Sequence, residues 1–138
     1  MPISGLTFDP IRAYGKEYVV LGLTLTVGAS GAVASVKGKG WAADGTVHQS
    51  GFQGSVTKES ADGQYSIVLP GRGSVAGILP LQPVIEHATD ALFATALAVD
   101  LDDRKVTYQL RDDAGAAANA TSGAKVHFVL LVKNSNID

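Results

Sequence analysis

The stretch Ser55-Val-Thr-Lys-Glu-Ser-Ala-Asp-Gly-Gln-Tyr-Ser-Ile-Val-Leu69 predicts a β-hairpin and with it an all-β fold. Tyr65, Ile67 and Leu69 alternate with other residues, and a period of two places one row of side chains on the inner face of a sheet. Asp62-Gly63 closes the polar loop, because this pair tolerates the positive backbone angles of tight turns. Tyr65 is therefore a predicted core residue.

Further strands are predicted from the same alternation. It is cleanest over residues 18–27, where Val19, Leu21, Leu23, Leu25 and Val27 share one face. Residues 89–101 are ambiguous, because Ala and Leu favour a helix while strict period-two spacing favours a strand, and we choose the strand. The other predicted strands are residues 32–37, 46–53, 78–85, 105–111 and 125–133.

The sequences of two of these strands predict where each strand lies in its sheet. Pro80 and Pro83 remove backbone donors from residues 78–85, so this strand belongs at a sheet edge, with Leu79, Leu81 and Ile85 on one side. The strand from Lys125 to Lys133 is apolar on both faces. Such a strand is either central in its sheet or buried on its second face at an interface.

Seven to nine short strands punctuated by turns predict an antiparallel β-sandwich or barrel, jelly-roll-like in character. Residues 18–138 form the predicted single β domain, since 138 residues suffice for one core. Residues 38–45 read as a glycine-rich loop around Trp41, without the sequence of a phosphate-binding loop. Residues 112–123 are predicted to be a flexible, solvent-facing loop.

Residues 1–17 are predicted to be an extended N-terminal arm. Its large apolar side chains Ile3, Leu6, Phe8 and Ile11 each gain about 1.5 to 3 kcal/mol when fully buried, so they should dock on a surface. Two alternatives stay open, packing on the arm's own domain and reaching across to a neighbouring subunit. In the second case these four residues are a partner interface.

Composition excludes several classes of function. The net charge is −2 without a basic segment, which argues against nucleic-acid binding. Apolar stretches end well short of the roughly 18 residues of a membrane span, and the N-terminus lacks the pattern of a secretory signal. Without such a signal the sequon Asn119-Ala-Thr121 does not predict glycosylation. Only 17% of residues are charged, which suggests that partners cover part of the surface.

No catalytic or metal-binding constellation is visible in the sequence. His48, His87 and His127 are far apart, and the chain has no cysteine, so neither a metal site nor a cofactor is predicted. The acidic run from Asp100 to Asp103 reads as a solvated turn rather than a calcium loop. The sequence lacks a Gly-x-Ser-x-Gly nucleophile elbow, and we do not expect the protein to be an enzyme.

Four segments resemble a family of small head proteins from tailed bacteriophages. They are Gly54-Ser-Val-Thr-Lys58, Gly63-Gln-Tyr-Ser-Ile-Val-Leu69, Asp112-Asp-Ala-Gly115 and Val126-His-Phe-Val-Leu-Leu-Val-Lys-Asn-Ser135. The resemblance implies a capsid decoration or cement protein, a β-rich homotrimer that binds the major capsid protein on the outside of the shell. It also implies synthesis in the host cytoplasm and a final location on the virion. Pro70-Gly-Arg-Gly73, Pro80 and Pro83 depart from the family pattern.

A second hypothesis comes from a different functional class. A β-rich chain of this kind also suits a carbohydrate- or receptor-binding module of a phage fibre or head fibre. In that reading Trp41 would stack on sugar rings.

Overall fold

The computed structural model of the protein describes residues 18–41, 47–50, 56–69 and 75–133, with side chains for residues 20–38, 56–69 and 75–133. These residues form ten β-strands and a short 3-10 turn at Ala29–Gly31. The strands are β1 (Tyr18–Val27), β2 (Val33–Trp41), β3 (Val47–Ser50), β4 (Val56–Lys58), β5 (Gln64–Val68), β6 (Gly77–Pro80), β7 (Val84–Glu86), β8 (Phe93–Asp100), β9 (Lys105–Arg111) and β10 (Lys125–Lys133).

Six strands form sheet A, in which all pairings are antiparallel. Its order is β3-β2-β1-β10-β6, and β7 pairs with β10 further along the same edge. β1 and β10 pair from Tyr18 opposite Lys133 to Thr26 opposite Lys125. β10 is thus a central strand, which confirms one of the two expectations for a strand that is apolar on both faces.

Four strands form sheet B, in the antiparallel order β4-β5-β9-β8. β4 and β5 are the two arms of the predicted hairpin, and the turn residue Gly63 has a φ of +64°. Tyr65, Ile67 and Leu69 are all buried. The hairpin and its inward row are therefore confirmed.

The two sheets pack against each other around one apolar core. The rings of Tyr108 on β9 and Phe128 on β10 lie 4.8 Å apart between centroids, so they join sheet B to sheet A. Each large apolar side chain buried in this way contributes about 1.5 to 3 kcal/mol. The all-β sandwich is confirmed, and the described strands do not close into a barrel. The inward rows include Leu21, Leu23, Leu25, Val27, Tyr65, Ile67, Val106, Tyr108, Leu110, Val126, Phe128, Leu130 and Val132.

The prediction of one continuous strand over residues 78–85 is wrong. The segment consists of two strands, β6 and β7, which pair with different parts of β10. Pro80 and Pro83 lack the N–H groups that an unbroken ladder needs, so the edge is interrupted between them. The edge position is confirmed, but the predicted face is not, because Leu79 and Leu81 are exposed while Ile85 packs against the core.

The ambiguous segment 89–101 contains the strand β8 rather than a helix. A register shift between Ala96 and Ala98 interrupts the pairing with β9. The large side chains that follow the period-two spacing of this segment do not form a buried row. Phe93, Leu97, Val99 and Leu101 are all exposed.

Two predicted loops also differ from the structure. β2 continues to Trp41, because residues 38–41 pair with β1 on one side and with β3 on the other. Long-range pairing thus overrides the weak local preference of glycine. The predicted loop 112–123 faces solvent over only part of its length, since Ala120 is buried and Ala117 forms a bridge with Arg111.

Candidate functional site

The outer face of sheet A carries an apolar patch at one end of its strands. Val20, Leu131 and Leu79 stand side by side, because Leu131 of β10 pairs with Val20 of β1 and with Leu79 of β6. Val129 lies in the next row, opposite Gly22. Leu79 is 52% exposed and Val129 is 37% exposed, whereas Val20 and Leu131 are half-buried. These four residues are called the outer apolar patch.

Strand periodicity explains how this patch arises. Alternate residues of β10, such as Phe128 and Leu130, fill the core, so Val129 and Leu131 emerge on the opposite face. The backbone of Trp41 pairs with Val20, which extends the row to the register position of the tryptophan. Adjacent exposed apolar residues of this kind are typical of a surface that meets a partner.

The other end of the same face is polar. The Thr24 hydroxyl lies 2.9 Å from Nδ1 of His127, and Nε2 of His127 lies 2.7 Å from the Glu86 carboxylate. The three residues come from β1, β10 and β7. A neutral imidazole with its proton on Nε2 satisfies both contacts by donating to Glu86 and accepting from Thr24.

The order hydroxyl, imidazole and carboxylate matches that of a hydrolase triad, but its setting does not. The side chains of His127 and Glu86 are 39% and 63% exposed on a sheet surface. Triad chemistry depends on preorganised oxyanion donors in a site from which water is excluded. The hydrogen bonds of Thr24, His127 and Glu86 link β1, β10 and β7 on this exposed surface.

The charge state of Glu86 follows from these neighbours. The hydrogen bond from His127 lowers the pKa of the Glu86 carboxyl below its usual value, and the positive charge of Lys125 lowers it further. A shallow depression of about 590 Å³ lies beside it, lined by Ile85, Glu86, His87, Ala88, Gly123 and Lys125. The lining mixes charges of both signs and favours no particular class of ligand.

A second apolar surface lies at the side of the sandwich. Among the described strands β8 pairs with β9 alone, and across from its first residues runs the connection between β6 and β7. Between them is a groove of about 360 Å³, called the side groove. Val99 pairs with the buried Val106 and yet is 41% exposed, so the core is uncovered along this side. The groove is lined by Pro80, Leu81, Gln82, Phe93, Ala94, Thr95 and Ala96.

Asn119, the first residue of the sequon, holds the hairpin turn. Its side-chain oxygen accepts a hydrogen bond from the Gly63 N–H at 2.7 Å, and its amide nitrogen donates to the Asp62 carboxylate at 2.8 Å. Thr121 donates from its hydroxyl and its N–H to the Asp90 carboxylate. Sequence reasoning missed both contacts, because partners so distant along the chain leave no local signal.

Several predicted site residues fall outside this description. Ile3, Leu6, Phe8 and Ile11 lie outside the described residues, and for Trp41 only the backbone is described, so the arm interface and the sugar-stacking role stay predictions. The solvated turn is confirmed, since Asp100 accepts hydrogen bonds from the N–H groups of Asp102 and Asp103 and all three residues are exposed.

Two other kinds of feature are absent from the described ranges. Within them, three or more His, Asp or Glu side chains do not gather in a way that could hold a metal ion. The same ranges contain no helix with the length and apolar character needed to cross a membrane. Comparison of the chain with protein-family models, with curated proteins and with solved structures found no match.

Proposed function

We propose that this protein is a virion structural protein that decorates and stabilises a phage capsid by binding, as an oligomer, to the assembled shell. The observation that carries the proposal is the outer apolar patch. Leu79 and Val129 expose apolar surface beside Val20 and Leu131 at one end of sheet A, where a second protein surface can pack against them.

The energetics of such a contact are those of hydrophobic burial. Apolar surface removed from water contributes about 25 cal/mol per Å², and the cost of association is shared when several copies of the patch bind as one oligomer. A ligand that binds the assembled shell in preference to free capsid subunits stabilises the shell by mass action. No catalytic residue is required for this activity.

The sequence resemblance supports the choice of partner in this proposal. Segments 54–69 and 126–135, which resemble phage head proteins, include the hairpin and the strand β10 that carries Val129 and Leu131. The proposed partners are therefore further copies of this chain, in a trimer closed by cyclic symmetry, and the major capsid protein. The proposed location is the outer surface of the virion.

Co-sedimentation with expanded phage heads that lack the protein tests this proposal. The double variant Leu79→Asp with Val129→Asp should lose binding, because it places charges in a surface that must be desolvated. Both side chains are substantially exposed, so the unfolding temperature of the variant should stay close to that of the unmodified protein.

Val68→Asp is the matched control, because Val68 is 38% exposed on sheet B, away from the patch. It should bind heads like the unmodified protein. A purified protein that is a stable monomer and does not bind expanded heads would contradict the proposal, as would equal loss of binding in both variants.

A further inference from the structure

The side groove leaves part of the core uncovered. At this side β8 presents an unpaired strand edge among the described residues, and Leu81, Phe93 and Val99 are each at least one-third exposed. An open strand edge with apolar side chains is a site for aggregation, and native proteins usually cover it with another segment. The groove is therefore a candidate docking site for another segment.

The chain contains a segment whose chemistry fits the groove. Residues 3–11 carry Ile3, Leu6, Phe8 and Ile11, and only one charged residue, Asp9. Pro10 lacks a backbone donor, so the segment suits side-chain packing better than an unbroken hydrogen-bonded ladder. Burying these side chains removes the cost of leaving them in water.

The arm joins the sandwich at the end where β8 finishes. Tyr18 pairs with Lys133, and the carbonyl of Lys133 accepts a hydrogen bond from the Ala76 N–H. The neighbouring Val75 N–H donates to the carbonyl of Leu101, directly after β8. The arm therefore leaves the sandwich at the end where β8 finishes and can run back along it toward Phe93.

The arm is also long enough to reach β8 and to run along it. In sheet A, β6 lies two strands from β1, a distance of about 10 Å, and sheet B lies about 10 Å beyond in depth. Residues 12–17, when extended, span about 20 Å, enough for this crossing. Residues 3–11 then extend over about 30 Å, which matches the roughly 26 Å of the strand Phe93–Asp100.

We propose that the N-terminal arm, residues 1–17, folds back over the side groove of its own subunit and packs its apolar side chains against the groove residues Leu81 and Phe93. Binding within the same chain is favoured over exchange between subunits, because a short tether holds the arm at a millimolar effective concentration. The arm completes the core at the side of the sandwich. This inference goes beyond the proposed function and does not depend on capsid binding.

Cross-linking in the full chain tests the proposal, and the lack of native cysteine makes the result specific. One cysteine replaces Thr7, between two apolar arm residues, and the second replaces Gln82 at the rim of the groove. A short bifunctional thiol reagent should give an intrachain product that migrates as a monomer on a denaturing gel. The control pair is Thr7→Cys with Ala34→Cys, an exposed position on β2 away from the groove.

Two added variants separate docking from chance proximity. Leu81→Asp, in the Thr7→Cys and Gln82→Cys background, should reduce the product to the level of the control pair, whereas Val68→Asp should leave it unchanged. A yield no higher than that of the control pair overturns the proposal. A product of two linked chains also overturns it, since the arm would then occupy a neighbouring subunit or a second copy would cover the groove.

Discussion

At the scale of single residues, two tyrosines in the same core differ in one hydrogen bond. The Tyr65 hydroxyl donates to the carbonyl of Gly31 at 2.5 Å, whereas the buried Tyr108 hydroxyl has no partner among the described residues. Burial raises the pKa of Tyr65 to about 12 and raises that of Tyr108 as well, so both rings stay neutral at physiological pH. The hydrogen bond, rather than charge, separates their contributions to stability.

Replacing each tyrosine by phenylalanine should reveal that difference. Tyr65→Phe should lower the free energy of unfolding by about 1 to 3 kcal/mol, because the Gly31 carbonyl loses its donor in a buried position. Tyr108→Phe should leave stability unchanged or raise it by up to about 1 kcal/mol, since it removes an unsatisfied polar group. Urea unfolding measures both values, and equal losses would show that the Gly31 contact contributes little.

The pair His127 and Glu86 gives a prediction for pH. Because the pKa of Glu86 is lower in the folded protein than its ordinary value of 4.5, its contribution to stability is present above pH 4.5. That contribution is lost as the pH falls through the lowered pKa. In His127→Gln the pKa of Glu86 should move upward, and NMR titration of the carboxyl carbon measures the shift.

His87→Gln is the control for this titration. His87 lies beside Asp90 rather than forming the hydrogen bond to Glu86, so its removal should leave the Glu86 titration in place. An unchanged Glu86 pKa in His127→Gln would mean that Lys125, not the hydrogen bond, sets the charge state of the carboxyl.

At the scale of elements, the hairpin depends on a backbone contact that the turn sequence does not reveal. A Cβ atom on Gly63 would lie 2.1 Å from the carbonyl oxygen of Ala118, so the loop 112–123 occupies the space beside the turn. Asn119 in the same loop accepts the hydrogen bond of the Gly63 N–H. The turn and the loop therefore form one structural unit.

Replacing Gly63 by alanine should be much more harmful than the same change at Gly115. Both glycines have positive φ, but a Cβ on Gly115 meets nothing within 4 Å. We expect a loss of about 1 to 2 kcal/mol for Gly115→Ala, from backbone strain alone. Gly63→Ala should lose about 3 kcal/mol or more, because the clash adds to the strain. Thermal unfolding of both variants checks the difference, and similar losses would mean that the loop moves aside.

At the scale of the whole molecule, the sandwich has two apolar surfaces with separate proposed roles. The side groove lies beside the first residues of β8 and is lined by exposed apolar residues such as Leu81 and Phe93. The outer apolar patch lies on the far side of sheet A and includes Val129. If the arm covers the first surface, the second remains available for the shell.

Deleting residues 1–11 tests this division of roles. The free energy of unfolding of the subunit should fall by about 1 to 3 kcal/mol, the surplus of apolar burial over the entropy of ordering the arm. The mass of the oligomer, measured by sedimentation, should stay the same. Loss of assembly with little change in the unfolding temperature would instead show that the arm acts between subunits.

Local patterns predicted the fold class and the positions of most strands. The hairpin, the inward row from Tyr65 to Leu69 and the strand β1 follow from alternation of side chains, which depends only on neighbouring residues. The same logic failed on β8, because the register shift near Leu97 arises from pairing with β9. It failed at Pro83 as well, since the break between β6 and β7 depends on the ladder with β10.

The candidate surfaces were only partly predictable. The sequence by itself determined that β10 is apolar on both faces and that residues 1–17 carry side chains in need of a surface. Only the tertiary structure decided that Val20, Leu131 and Leu79 share one outer row, and that one side of the core lies open beside β8. The physical reason is that alternation assigns each residue to a face of its own strand, whereas the order and register of strands depend on contacts between residues far apart along the chain.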